Sequence, residues 1–321
     1  MTPPQSAPVP PAPQALQPLL DAIAAAPRSA DACRVFHGRG GLHPGCTHWT
    51  LDAYPPVWLL TSYQPVADDE LATVLDALAA RWQQLAPGEP LHCVLQLRDE
   101  VRADNRLLAG SVPEPHVVTE DGTRYGVHLL RGLNHGLFLD MAEGRRWVRR
   151  WAAAHPGGRV LNLFAYSCAF SVVALQAGAA EVVNVDMAGG ALALGKRNHA
   201  LNGLRSGAGF LPHDVFNSWG RLGRSGPYDL VVLDPPSYQK GSFVATKDYA
   251  RLVRRLPTLL APGGHALLCL NAPRLGAGFL QQLVADEAPA LQFVERVANP
   301  PVFADVDADR ALKVLVYRQH D

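Results

Sequence analysis

From about residue 140 onward the sequence predicts a doubly wound α/β fold, a mostly parallel sheet covered on both faces, behind a smaller α+β module. Three observations carry this. Apolar, strand-like runs alternate with helical stretches from GRVLNLF to the C-terminal region, which means parallel strands joined by helical crossovers. Aspartates stand at the ends of three of those runs. The front part is instead cut by glycines and prolines into short strands.

The composition sets the limits. The chain has 321 residues, of which 48% are hydrophobic, and 29 basic residues balance 29 acidic ones. That suits a globular protein with a sizeable core. No apolar stretch reaches the roughly 18 residues of a membrane span. The N-terminus lacks the charged and apolar regions of a secretory signal, so a cytoplasmic location and no membrane partner are expected. Five cysteines lie far apart, and their odd count argues against a disulfide framework. Neither they nor the twelve histidines show metal-ligand spacing, so no metal is expected. Zero net charge weakens any claim of broad nucleic-acid affinity. Two local clusters, Arg145, Arg146, Arg149 and Arg150, and Arg251, Arg254 and Arg255, each read alone as a solvated helix face.

Residues 1–15 read as a disordered, Pro/Ala-rich tail. Residues 16–130 read as the α+β module. A short helix falls within 16–31, and turn-bounded strands follow. DDELATVLDALAARWQQL (68–85) is an amphipathic helix. Asp68 or Asp69 would cap it, and Leu71, Val74, Leu75, Leu78 and Trp82 form its apolar face. LHCVLQLRD (91–99) is a strand, and Asp121-Gly122 marks a hairpin between two β-rich runs. Residues 131–321 read as the doubly wound domain. A helix, EGRRWVRRWAAAH, leads to GRVLNLF; then SVVALQAGA, EVVNVD, ALALGKRNHALNG and AGFLPHD continue the alternation. PYDLVVLDPP, helix KDYARLVRRLPTLL, the turn Ala261-Pro262-Gly263-Gly264 and strand HALLCLNA come next. Helix GFLQQLVADE precedes two runs, LQFVERV and ALKVLVYR, with no room for a helix between them, so these pair antiparallel or lie apart.

Ligands of doubly wound sheets bind beyond the C-terminal strand ends. Those ends carry Asn162–Ser171, Asp186, His213-Asp214, Asp234-Pro235-Pro236-Ser237-Tyr238 and Asn271. An acid after the second strand can take both hydroxyls of a ribose. A nicotinamide dinucleotide is the first rival, but G-x-G-x-x-G is missing. Phe164 and Tyr166 stand in its place with small Ser167, Cys168 and Ala169, and a pyrophosphate needs close glycine backbone at a helix N-terminus. A ligand with a ribose and no pyrophosphate fits better, and S-adenosylmethionine is the common one.

On Val160–Ser171, Asp186, Asp214, Asp234–Tyr238 and the final strand pair, the chain resembles class I S-adenosylmethionine-dependent methyltransferases. Asn134–Asp140 resembles the segment, typically ending Phe/Tyr-Leu-Asp-x-Arg, that precedes the cofactor domain in bacterial 23S rRNA methyltransferases of the large-subunit I/K type. The resemblance covers most of residues 34–321. It implies a seven-stranded sheet with an antiparallel last hairpin. It also implies that the Asn162–Ser171 turn lines the methionine and ribose end, that Asp186 holds the ribose hydroxyls, that Asp214 meets the adenine amine and that Asp140 closes the pocket. Phe138, Phe164, Tyr166, Ser167, Met187, Val215 and Asp234 complete the implied cofactor-binding set. Three departures stand out. Ser167-Cys168-Ala169 replace the family's frequent glycines. Ala142 replaces the usual arginine, with Arg145 as a substitute. The stretch before residue 34 is expected to be too short for the RNA-binding front domain of some relatives.

The implied catalytic set is Asp234, Pro235, Pro236 and Tyr238. The carboxylate and the Pro235 carbonyl can accept hydrogen bonds from an amine, two prolines stiffen that carbonyl, and Tyr238 can stack on a base. Lys240 can reach a phosphate. The plain alternative is a turn with a solvated acid. Methylation at carbon-5 of cytosine needs a thiolate adding to the ring. The candidate is Cys269, which strand alternation would turn toward the core; Asn271 is better placed to meet a base edge. The expected function is methylation of a base nitrogen in 23S rRNA. The alternatives are a cytosine-5 rRNA methyltransferase using Cys269, a protein or small-molecule methyltransferase, and a non-catalytic RNA-binding relative. Monomer and homodimer both remain open.

Overall fold

The computed structural model describes residues 12–99, 102–236, 238–239 and 243–320. The chain divides into two compact units, Met1–Val112 with Leu129–Leu133, and Pro113–His128 with Asn134–Asp321.

In the first unit, helix α1 (Ala12–Ala25) is followed by strands β1 (Cys33–His37), β2 (Trp49–Tyr54) and β3 (Val57–Ser62), helix α2 (Asp68–Leu85), and strands β4 (His92–Arg98) and β5 (Ala103–Ala109). Residues 12–15, expected in the tail, are therefore helical, while residues 1–11 lie outside the described residues. The five strands form one sheet in chain order. It is antiparallel except where β4, arriving after α2, pairs parallel with β3. Leu19 and Ile23 of α1 and Val74, Leu78 and Trp82 of α2 close over Trp49, Leu51, Trp58 and Leu60. This is the face read from the heptad-like spacing of α2. The expected aspartate cap is absent. Ala67 is the N-cap, and the Asp69 carboxylate accepts only from the neighbouring Glu70 N–H.

The second unit opens with a hairpin, β6 (His116–Glu120) and β7 (Thr123–Val127). Asp121 and Gly122 both take positive φ, 49° and 76°, the geometry a two-residue hairpin turn demands. Then come α3 (Ala142–Ala154), β8 (Arg159–Leu163), α4 (Ala169–Gln176), β9 (Glu181–Val185), α5 (Gly189–Leu201), β10 (Ala208–Leu211) and α6 (Trp219–Ser225). The chain continues through β11 (Tyr228–Leu233), β12 (Tyr238–Gln239), β13 (Phe243–Val244), α7 (Ala245–Val253), α8 (Leu256–Leu259), β14 (Leu260–Leu270), α9 (Ala277–Glu287), β15 (Leu291–Val297) and β16 (Lys313–Gln319).

The main sheet runs β10-β9-β8-β11-β14-β16-β15. The first five strands are parallel, and β16 is antiparallel to both its neighbours. The seven-stranded sheet with an antiparallel final hairpin is thus present. Alternation sends Val160, Leu230, Val232 and Leu267 into one core with Trp147, Trp151 and Phe170. Leu161, Val231, Leu233 and Leu268 enter the other with Leu252, Leu256 and Leu280.

Two local expectations change. The helix predicted over KDYARLVRRLPTLL breaks into α7 and α8, with Pro257 in the first turn of α8, where a missing N–H costs nothing. The turn predicted at Ala261–Gly264 is a bulge inside β14. Leu260 pairs with Tyr228 and His265 already pairs with Leu230. Gly263 takes φ 70° there, and a Cβ at Gly264 would lie 2.8 Å from the Ala261 carbonyl oxygen.

Candidate functional site

The strand order reverses between β8 and β11, since the chain moves outward from β8 to β9 and β10 and returns on the far side at β11. A crevice opens at such a switch point. The segments leaving β8, β9, β10 and β11 carry the residues singled out from the sequence.

After β8 the backbone zigzags. Phe164, Tyr166 and Cys168 all have positive φ, 58°, 45° and 59°. Non-glycine residues rarely hold that conformation, and such strain persists only where surroundings impose it. The constraints are visible. The Asp186 carboxylate, at the end of β9, accepts from Tyr166 N–H through one oxygen and from Ala188 N–H through the other, both at 2.8 Å. Tyr166 Oη accepts from Gly136 N–H at 3.0 Å. Ser167 Oγ donates to the Gly136 carbonyl at 2.6 Å. Asn198 of α5, fully buried, donates to the Ser167 carbonyl and accepts from Gly126 N–H of β7. Asn162 on β8 donates to Asn184, and its Oδ1 is buried without a hydrogen-bond partner among the described residues.

The segment Asn134–Asp140 is thereby strapped to the turn. His128 N–H donates to the His135 carbonyl, and the Phe138 ring lies 5.2 Å from that of Tyr166. Arg145 holds the far end of the strap. Its guanidinium donates to Glu120 at 2.6 and 2.7 Å and to the Phe138 carbonyl at 2.8 Å. The first arginine cluster is therefore a solvated face only in part, with Arg150 exposed. Arg145 is buried, Arg146 pairs with Asp121 and Glu143, and Arg149 donates to Thr123. Arg145 does reach the segment that Ala142 cannot, through the Phe138 backbone rather than a side chain.

Phe138 and Met187 stand out as large apolar side chains that remain 41% and 54% exposed. Asp214 caps the turn after β10, accepting from Phe216 N–H at 2.9 Å and Asn217 Nδ2 at 3.0 Å, with Val215 buried beneath. Each carboxylate oxygen of Asp186 and Asp214 keeps a further lone pair for a ligand.

Asp234 follows β11 directly, with Pro235 buried after it and Pro236 partly exposed. Burial, and then the Asp140 carboxylate, push Asp234 up to about 7, with Arg145 pulling the other way. Cys269 on β14 is fully buried. Its Sγ lies 4.0 Å from Met141 Sδ, and its backbone carbonyl accepts from Tyr249 Oη at 2.9 Å. Burial drives this thiol well above its ordinary range, and the Asp234 and Asp140 carboxylates drive it further. Asn271, just past β14, is exposed. The backbone of Tyr238 pairs with Val244 in a short ladder; its side chain, with Ser237 and Lys240, lies outside the described residues.

The residues present fit an adenosyl group. Asp186 and Asp214 keep acceptor capacity of the kind hydroxyls and an exocyclic amine require, Phe138 and Met187 stay exposed, and the β8 turn carries no glycine cradle for a pyrophosphate. Missed from the sequence were Glu120, Asn198 and Tyr249, and the particular role of Gly136 within the Asn134–Asp140 segment. The one local signal was Gly136 itself. It takes φ 104°, and a Cβ there would lie 2.7 Å from the Gly126 carbonyl oxygen.

Fold and site together define a nucleotide-type class I transferase scaffold. The family model described as S-adenosylmethionine-dependent methyltransferase matches residues 33–318, and the chain belongs to that family, with S-adenosylmethionine as its cofactor. Ribosomal RNA large subunit methyltransferase I of Aeromonas salmonicida (strain A449) is 28% identical over 282 residues, covering 84% of this chain and 70% of that protein. Ribosomal RNA large subunit methyltransferase K/L of Psychrobacter sp. (strain PRwf-1) is 36% identical over 178 residues, 53% of this chain and 21% of that protein. A Streptococcus mutans protein assigned as a SAM-dependent methyltransferase matches with a TM-score of 0.80 and 25% identity, over 98% of this chain and 83% of its own. The structure of SMU.776 complexed with SAH matches at 0.77 and 26%, over 95% and 79%. No helix among the described residues is long and apolar enough to cross a membrane.

Proposed function

We propose that this enzyme methylates a ring or amino nitrogen of a base in 23S rRNA. The large-subunit rRNA methyltransferases it resembles support the substrate class. The state of Cys269 carries the choice of atom. Carbon-5 of a pyrimidine becomes nucleophilic only after a thiolate adds to the ring. Cys269 is wholly buried, beside two carboxylates, and its thiol is held protonated. Such a cysteine is inert. A nitrogen lone pair needs no such help, only aim.

The cofactor supplies a methyl group already activated on a sulfonium. The residues around it position. Asp186 and the Phe164–Cys168 turn hold the ribose and methionine end, with Asn162, Phe138 and Ser167 lining it. Asp214, Val215 and Met187 take the adenine, and Asp140 closes the pocket from the strap. The Asp234 carboxylate and the Pro235 carbonyl accept from the N–H of the target base, turning its lone pair outward. Asp234 then takes the proton released as the nitrogen is alkylated. Its raised range suits a group that must accept a proton near neutrality. Pro235 and Pro236 keep the carbonyl from swinging, and Tyr238 stacks on the base.

Large-subunit rRNA from cells lacking the gene, incubated with enzyme and methyl-labelled cofactor, tests this by nucleoside mass spectrometry. Label in an N-methylated base is expected. Labelled 5-methylcytidine that disappears in Cys269→Ser overturns the choice of atom, and label in protein rather than RNA overturns the substrate.

A further inference from the structure

The second arginine cluster is solvent-exposed, as the sequence reads, and it carries more positive charge than the acids beside it balance. Helices α6 and α7–α8 carry six cations, Arg221, Arg224, Lys247, Arg251, Arg254 and Arg255, against one acid, Asp248. The whole chain has zero net charge, so this face holds an excess that is compensated elsewhere. Arg251 pairs with Asp248 and Arg254 with Glu287. Arg221, Arg224, Lys247 and Arg255 are exposed and make no ion pair among the described residues.

Two of the guanidiniums lie at Trp219 and Gly220, and a third lies over Phe216, whose ring is 6.2 Å from that of Trp219. Arg255 lies 5.8 Å from the Trp219 ring. Arg224 folds back until its Nη1 is 3.6 Å from where a Cβ on Gly220 would stand. Arg251 sits 4.0 Å above the Phe216 ring. Ring faces offset part of the repulsion among like charges, but they do not supply the anion such a cluster lacks. The rings also connect the cluster to the site. Phe216 stacks on Phe243 at 6.3 Å, and Phe243 meets Phe164 of the β8 turn edge-on at 5.6 Å.

We propose that this face binds the phosphodiester backbone of the RNA, a few nucleotides from the base being methylated; this rests on the RNA substrate reading above. Planar guanidiniums fit phosphate oxygens in pairs, and Phe216, packed through the buried Phe243 against Phe164, sets the cluster near the β8 turn. An acidic polypeptide is the competing partner.

The test uses the full-length enzyme and a fluorescein-labelled U20 oligonucleotide, with binding followed by anisotropy across salt concentrations. Each phosphate contact on a single strand contributes about 0.7 to the slope of log affinity against log salt. The triple variant Arg221→Ala/Arg224→Ala/Arg255→Ala should therefore lose about 2 from the slope. Replacing the same three residues with lysine should keep most of it. Cofactor affinity by calorimetry should not change in either. If the wild type methylates rRNA and the alanine variant keeps the full slope, the face is overturned and the RNA reading stands. If the wild type binds cofactor but neither binds nor methylates RNA, the RNA reading falls and takes the face with it. Binding to a twenty-residue polyglutamate that is tighter than to U20, and lost in the alanine variant, overturns the proposal in favour of an acidic protein.

Discussion

Arg145 and Glu120 form a buried, two-contact ion pair, 3% and 6% exposed, with bonds of 2.6 and 2.7 Å. The pair ties the hairpin to helix α3, and the third guanidinium bond passes the constraint to the Phe138 carbonyl. Removing one partner strands a charge in the core, a loss of about 3–5 kcal/mol. Glu120→Ala should lower stability by that order in urea unfolding and raise the cofactor KM, because the strap loses its anchor. The double variant Glu120→Leu/Arg145→Met should regain most of the stability but not the KM. Equal recovery of both would sink the positioning role.

Gly136 is where the strap meets the hairpin and the turn after β8 at once. Both its backbone groups are used, by Tyr166 and by Ser167. Its φ of 104° and the 2.7 Å approach to Gly126 leave no space for a side chain. Gly136→Ala should cost on the order of 1–3 kcal/mol. Since the strain falls on the strap, calorimetry should show weaker cofactor binding even at temperatures where the fold is intact. Unchanged cofactor affinity in the folded variant would refute this.

The sheet was legible because parallel strands buried on both faces leave continuous apolar runs, and the acids at their ends mark one edge. What was not legible depends on partners distant in the chain. Arg145 belongs to a run with perfect helical periodicity, and nothing local says that Glu120, 25 residues earlier, turns it inward. The hairpin read as part of the front module, yet it groups with the second unit, through Asn198 and Asn202 of the α5 region as well as Glu120. Asp68 and Asp69 looked like caps, but the N-cap falls one residue earlier, on Ala67, which places both aspartates inside the first turn. At the site, the order of Asp186, Asp214 and Asp234 was readable. The left-handed backbone of Phe164, Tyr166 and Cys168 was not, since bulky residues argue against it.

Cys269 offers a clean separation of chemistries. A nucleophilic thiolate would make Cys269→Ala inactive. A core cysteine touching Met141 makes it a packing change only, with a cost of about 1–2 kcal/mol. Methyl transfer to rRNA by Cys269→Ala should stay within roughly threefold of wild type, a shift under 1 kcal/mol in the barrier. Iodoacetamide should leave Cys269 unmodified in the native protein by peptide mass spectrometry. Loss of all activity in a variant that still binds cofactor would reverse the assignment.

Asp234 predicts a pH signature of unusual sign for a carboxylate. Unfolded, it titrates near 4, whereas in the folded protein burial and Asp140 raise it to about 7. Between those values the folded chain keeps a proton that the unfolded chain has released, so the contribution of this group to stability falls as pH rises from about 4 to 7. Below that window both states are neutral and nothing is lost; above it the penalty is constant. Asp234→Asn removes the penalty. The variant's gain in unfolding free energy over wild type should be small at pH 4, grow through neutrality and level off above pH 7, reaching on the order of a few kcal/mol, and its Tm should follow the same course. The same variant should lose methyl transfer by roughly a hundredfold or more, since its amide can neither take the proton nor hold the amine through two acceptors. Wild-type turnover should rise through pH 7 as the carboxylate forms. A Tm difference that does not vary with pH would mean that Asp234 is solvated like any surface acid, and its place as the proton acceptor would go with it.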